Sequence, residues 1–166
     1  MKKKITTFLT FKDQAEEAAK LYTSIFKNSR ITSTSRYGDA APAPKGSVMS
    51  ANFEIDGQEF VALNGGPSFS FSEGISLYVD CETQAEVDDL WKKLSAGGSE
   101  GRCGWLTDRF GVSWQVIPRA LPKLLSDPDP EKAGRAMNAM LQMSKIDIAK
   151  LEQAAEGGTV EATSGR

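Results

Sequence analysis

Histidine is missing from this sequence: none of the 166 residues is one. That removes the usual general base near neutral pH and the commonest transition-metal ligand. Ser-His-Asp and Cys-His mechanisms are excluded with it. Cysteine is nearly missing too. Cys81 and Cys103 are too few for a disulfide scaffold and match no zinc spacing. Charge of one sign is not in excess: the net charge is −2, which sets up no general field for nucleic acid or an anionic membrane. No apolar run approaches membrane-spanning length. The basic start Lys2–Lys4 is not followed by a clean apolar region, because Thr6, Thr7, Thr10, Lys12 and Asp13 interrupt it. These features lead to the expectation of a cytoplasmic, reduced protein with no membrane or nucleic-acid partner. Hydrophobic residues make up 40% and charged residues 25%, ordinary for a soluble protein with one core.

What is present is a repeat. "ITTFLTFKDQAEEAAKL" (residues 5–21) lies over "ISLYVDCETQAEVDDLW" (residues 75–91) at an offset of 70 with no gap. Four of the seventeen positions are identical, where composition alone gives about one. The mechanics agree as well. Each stretch opens as a short strand and then offers a helix cap, Asp13 or Thr83, with Glu16 or Glu86 three residues on. Helices are predicted near Asp13–Phe26 and Thr83–Leu94. Ala15, Ala18, Ala19, Tyr22, Ile25 and Phe26 form the first apolar face; Val87, Leu90, Trp91 and Leu94 form the second.

Around them the pattern reads as βαβββ twice. "SRITSTSRY" is a strand, and Asp56-Gly57 turns a hairpin inside "SVMSANFEIDGQEFVALN". In the second half, "RCGWLTD" and "VSWQVIP" flank a turn at Arg109-Phe110-Gly111, and the third strand is abbreviated or missing near Ser99–Arg102. Gly65-Gly66-Pro67 falls between the last strand of one half and the first of the next. A phosphate loop places its glycines before a helix, so the pair reads as an inter-module joint. Past residue 118, Asp129-Pro130 and Asp147 each start a helix. Ala133, Ala136, Met137, Met140 and Leu141 share a face that reads as core or dimer contact, and residues 157–166 read as a disordered tail.

Two βαβββ units, the "DRFGVSWQV" turn and strand, and the stretches "RYGDAAPAPKGSVMSANFEIDGQEFVALNGGPSFSF" and "CGWLTDRFGVSWQVIPRALPKLLSDPDPEKAGRAMNAMLQM" together resemble one family. This is the PhnB-like branch of the vicinal oxygen chelate superfamily, often labelled 3-demethylubiquinone-9 3-methyltransferase. The resemblance implies an α+β fold of paired βαβββ modules forming a cupped, mostly antiparallel sheet. It implies one domain over residues 1–156: module one 4–64, joint 65–73, module two 74–118, and C-terminal helices 119–156. It also implies a small-molecule cavity and a homodimer.

In metal enzymes of that superfamily the ligands lie on the first and fourth strands of each half. The corresponding positions here are Lys4, Val61, Gly74 and Gln115. An ammonium, an isopropyl group, no side chain and a neutral amide do not replace the water of a divalent ion. No metal and no cofactor is therefore expected. Many branch members carry a histidine after the Gly-Gly-Pro; this chain has Ser68, which cannot titrate near neutral pH. A class I methyltransferase needs a Gly-rich strand-to-helix turn, and the pattern offers none.

Strand alternation then places the ligand. Ser113 and Gln115 share a face of the last strand, opposite Trp114. The superfamily turns the Gln115 position into the cup, and Ser76 and Tyr78 follow Gly74 inward. The expected ligand-binding set is Ser76, Tyr78, Ser113 and Gln115, with Asn64 and Ser68 near the rim and Trp105 as a stacking wall. Asn64 reads equally as a turn residue. Arg36 and Arg109 read as anion holders or as solvated surface. Cys103 reads as a nucleophile or as an inert thiol. The reading is a small-molecule-binding protein of the glyoxalase/bleomycin-resistance type, metal-free. The alternative is an enzyme of that superfamily with an unidentified catalytic group, or the methyl transfer of the family label.

Overall fold

The computed structural model describes residues 4–158. They fall into two compact units that part between Phe71 and Ser72, inside the expected joint. The α+β class holds, and neither sheet closes into a barrel.

In the first unit the elements run β1 (Thr7–Phe11), α1 (Ala15–Ile25), β2 (Arg30–Arg36), β3 (Val48–Ile55) and β4 (Gln58–Asn64). The sheet order is β1-β4-β3-β2, with β1 and β4 parallel and the other pairs antiparallel. Asp56 and Gly57 turn the β3–β4 hairpin at φ 46° and 77°, as the two-residue loop requires. One sheet face carries Leu9, Phe11, Ala51, Phe53, Phe60 and Ala62, all buried. Against it lie Ala15, Ala18, Ala19 and Tyr22 of α1. Small residues let the helix approach closely, and Phe53 stacks on Phe60 with ring centroids 5.4 Å apart.

The start of α1 differs from the sequence expectation. Its flanking residue is Gln14, and no local side chain caps it. The Ala15 N–H instead donates to Asn64 Oδ1 at 2.8 Å, across 49 residues. Asn64 Nδ2 donates to the Val48 carbonyl at 3.0 Å, and its own carbonyl accepts from the Tyr37 hydroxyl at 3.2 Å. The end of β4 is thus tied to the helix it supports.

The glycine pair follows directly. Gly65 and Gly66 N–H groups donate to the carbonyls of Phe11 and Lys12, extending the β1–β4 pairing. A Cβ on Gly65 would lie 2.5 Å from Thr10 Cγ2 and 2.7 Å from the Phe69 ring, so no larger residue fits without a shift. Gly66 sits at φ +90°, where a side chain is strained. β5 comes next, not a helix, so the pair does not stand before a helix N-terminus as a phosphate loop does.

The second unit runs β5 (Ser76–Cys81), α2 (Gln84–Ser95), β6 (Ser99–Glu100), β7 (Trp105–Thr107) and β8 (Ser113–Pro118). Its sheet order, β5-β8-β7-β6, repeats that of the first unit with β5 and β8 parallel. The repeat is visible in the register: Phe8 pairs with Val61 as Tyr78, 70 residues on, pairs with Gln115. The abbreviated strand exists, two residues long. Val87, Leu90, Trp91 and Leu94 are the buried face of α2, as the sequence predicts. Thr83 Oγ1 accepts from the Glu86 N–H, and Glu86 Oε2 accepts from the Glu82 N–H at 2.7 Å. The Thr83 cap stabilises the helix start by about 1 kcal/mol.

Three helices follow: α3 (Ala120–Leu125), which sequence patterning did not separate, then α4 (Pro130–Leu141) and α5 (Ile148–Ala155). Asp129 and Asp147 cap the last two. Ile117, Leu121, Ile146 and Leu151 form their core, with Ala139 and Met140 packed on it. The α4 face expected from sequence is split, since Met137 and Leu141 stay 40% and 46% exposed. Gly157 and Gly158 donate back to Ala154 and Gln153 and close α5. The rest of the expected tail, 159–166, lies outside the described residues.

Candidate functional site

The two faces of the second sheet are chemically opposite. Register places Leu77, Val79, Cys81, Leu106, Trp114 and Val116 on one of them. That face is apolar and carries α2, and Trp114 beneath it is 1% exposed. The other face carries Ser76, Tyr78, Trp105, Ser113 and Gln115, five of the seven residues expected from sequence. Asn64 and Ser68 belong to the first unit. The Asn64 amide is engaged at the start of α1, and Ser68 is exposed in the joint.

The tight turn before β8 holds this arrangement in place. Asp108 is 3% exposed. Its Oδ1 accepts from the N–H groups of Phe110 at 2.9 Å and Val112 at 3.1 Å, and its Oδ2 accepts from Trp114 Nε1 at 2.9 Å. Fixing Trp114 against the helix turns its neighbours Ser113 and Gln115 to the open face, since successive strand residues alternate.

On that face Gln115 Nε2 donates to Ser76 Oγ at 2.8 Å across the β5–β8 pair. This leaves the Gln115 Oε1 carbonyl available as an acceptor. Tyr78 is 53% exposed, and its hydroxyl pKa is raised by burial and by Asp80, so the phenol stays neutral. A cleft of about 320 Å³ opens toward β6 and β7, lined by Glu73, Ser99, Arg102, Trp105, Thr107 and Ser113 among others. It takes in Trp105 and Ser113 of the expected set. Ser76, Tyr78 and Gln115 stand on the same face outside its lining. Thr107 was missed, although its place two residues from Trp105 on one strand was the signal that could have found it. Ser99 was missed because a two-residue strand carries no periodicity.

The site offers no metal donor set. Among the described residues, no three His, Cys, Asp or Glu side chains are grouped to hold an ion. Gln115 presents a neutral amide whose nitrogen is already bonded to Ser76. Neither thiol looks like a nucleophile. Cys81 is fully buried, and burial pushes its thiol up to about 12. Cys103 sits at φ 57° in a turn where its N–H donates to Met143 and its Sγ to the Met140 carbonyl. The two arginines are also occupied: Arg36 bonds the Gly46 carbonyl and lies 3.8 Å from Glu16, while Arg109 lies over the Phe110 ring. No glycine stands in the strand-to-helix connections 12–14, 82–83 or 119, so none of them is a Gly-rich turn.

Comparison with known proteins agrees with the fold. A family model described as 3-demethylubiquinone-9 3-methyltransferase matches residues 3–117. A solved structure described as a putative 3-demethylubiquinone-9 3-methyltransferase, PhnB protein, from Bacillus cereus is 42% identical. The match covers 68% of this chain and 97% of that one, with a TM-score of 0.64. A protein from Pseudomonas aeruginosa is 25% identical over 68% of this chain and 95% of its own, with a TM-score of 0.56. No curated protein matches. The family match ends at Ile117 within β8, so α3, α4 and α5 lie beyond it.

Proposed function

This chain belongs to the 3-demethylubiquinone-9 3-methyltransferase family, in the PhnB-like branch of the vicinal oxygen chelate superfamily, and from that premise we propose that it binds a small organic molecule without metal. The carrying observation is the open face of the second sheet. Ser76, Tyr78, Trp105, Ser113 and Gln115 stand together there, all neutral and all polar or aromatic. Such a face holds a ligand by stacking and neutral hydrogen bonds. Nothing on it titrates between about pH 6 and 8, so binding should be flat across that range. The lost histidine at Ser68 and the amide at Gln115 favour binding over catalysis. The methyl transfer in the family description would call for a Gly-rich strand-to-helix turn, and no glycine stands in the connections 12–14, 82–83 or 119.

The reading includes a cytoplasmic homodimer. Met137 and Leu141 of α4 support the second part, since they lie one helical turn apart and remain exposed. No helix among the described residues is long and apolar enough to cross a membrane. Native mass spectrometry of freshly purified protein tests the proposal. Dimers that carry an organic adduct and no stoichiometric metal are expected. One tightly held zinc, nickel or iron per chain would overturn it.

A further inference from the structure

The open face of the second sheet carries a feature that no single strand reveals. Ser99 is opposite Thr107, Thr107 is opposite Ser113, and Ser113 is opposite Ser76. One row across all four strands is therefore hydroxyl. Neighbouring members are about 4.8 Å apart, the spacing of the strands. The next row is Trp105, Gln115 and Tyr78.

These hydroxyls are largely unspent. Ser76 accepts from Gln115 and keeps its own O–H to donate. No protein group among the described residues bonds the hydroxyls of Ser99, Thr107 or Ser113. Ser113 decides the matter, because it is only 3% exposed and yet lines the cleft. Among the described residues no fully buried side-chain oxygen or nitrogen lacks a partner, so its unbonded hydroxyl is the part that meets the cleft.

Resting on the small-molecule reading above, we propose that the hydroxyl row Ser76–Ser113–Thr107–Ser99 beside Trp105 recognises a neutral, polyhydroxylated ring, a sugar or cyclitol. Each hydroxyl both donates and accepts, so the matching ligand is one whose groups do the same. Trp105 stands next to Thr107 on the same strand and face, which lets a ring lie on the indole with one edge over the row. The rim carries Glu73, Glu100 and Arg102, and Glu100 keeps its charge while accepting from Trp91 Nε1, so no net positive charge is there to hold an anion.

The test is calorimetric titration of the full chain with maltose, glucose and myo-inositol, alongside indole as a flat apolar probe and glucose 6-phosphate as an anion. At least one neutral polyol should bind saturably at millimolar concentration. Thr107→Val and Ser113→Ala should each weaken it about 5-fold, the value of one neutral hydrogen bond, with indole affinity unchanged. Trp105→Ala should abolish both. Circular dichroism confirms that each variant is folded, and Thr107→Val preserves shape if Ser113→Ala does not fold. Indole binding with no polyol binding, or polyol affinity indifferent to Thr107→Val, would overturn the ligand class and leave the small-molecule reading standing. Tighter binding of glucose 6-phosphate than of glucose would also overturn the class. Failure of every probe, with native protein free of any organic adduct, would overturn both.

Discussion

Replacing Asp108 with Asn changes one oxygen to an amide and almost nothing in shape. The carboxylate receives the N–H groups of Phe110 and Val112 on one oxygen and Trp114 Nε1 on the other. An asparagine can keep its oxygen toward the two backbone donors. Its Nδ2 then faces the indole N–H, donor against donor, and Trp114 is only 1% exposed. Flipping the amide satisfies the indole but strands the two backbone donors. The cheaper arrangement loses one charge-assisted bond and leaves one buried donor unpaired. These two costs overlap, so the expected destabilisation is about 2–3 kcal/mol. Trp114→Phe removes the donor. In that background Asp108→Asn should cost about 1.5 kcal/mol less, because the indole donor it would face is gone. Urea unfolding followed by far-ultraviolet circular dichroism measures both arms without relying on the tryptophan. A cost under about 0.5 kcal/mol, or an equal cost in both backgrounds, would refute the assignment of this carboxylate as the group that sets the β8 register.

Two further outcomes are expected. Asn64→Ala should lower stability by about 1–2 kcal/mol in thermal melts, through the lost α1 cap and the unpaired Val48 carbonyl; an unchanged melting temperature would count against the long-range cap. Cys81 holds its proton to about 12 in the folded chain against an ordinary 9.0. Its contribution is thus complete below 9.0 and is lost as pH rises toward 12, and Cys81→Ala should flatten the alkaline fall in stability by up to ~1.4 kcal/mol per pH unit, read from urea midpoints at successive pH values.

Local chemistry was legible in the sequence. The Asp56-Gly57 hairpin and the Thr83 cap each act within a few residues, and each stands in the structure as its pattern predicts. So does the division of β8, because alternation along a strand separates Trp114 from Ser113 and Gln115 without knowledge of any neighbour. Contacts between distant segments were not legible. Asp13 has the spacing of a helix cap, but Asn64, brought in by the β1–β4 pairing, supplies the acceptor instead. Met137 and Ala136 have similar claims to an apolar face, and only the angle at which α4 meets its core buries one and exposes the other. The hydroxyl row depends on three strand registers at once. A shift of one residue in any of them would break it, and no stretch of sequence contains that register.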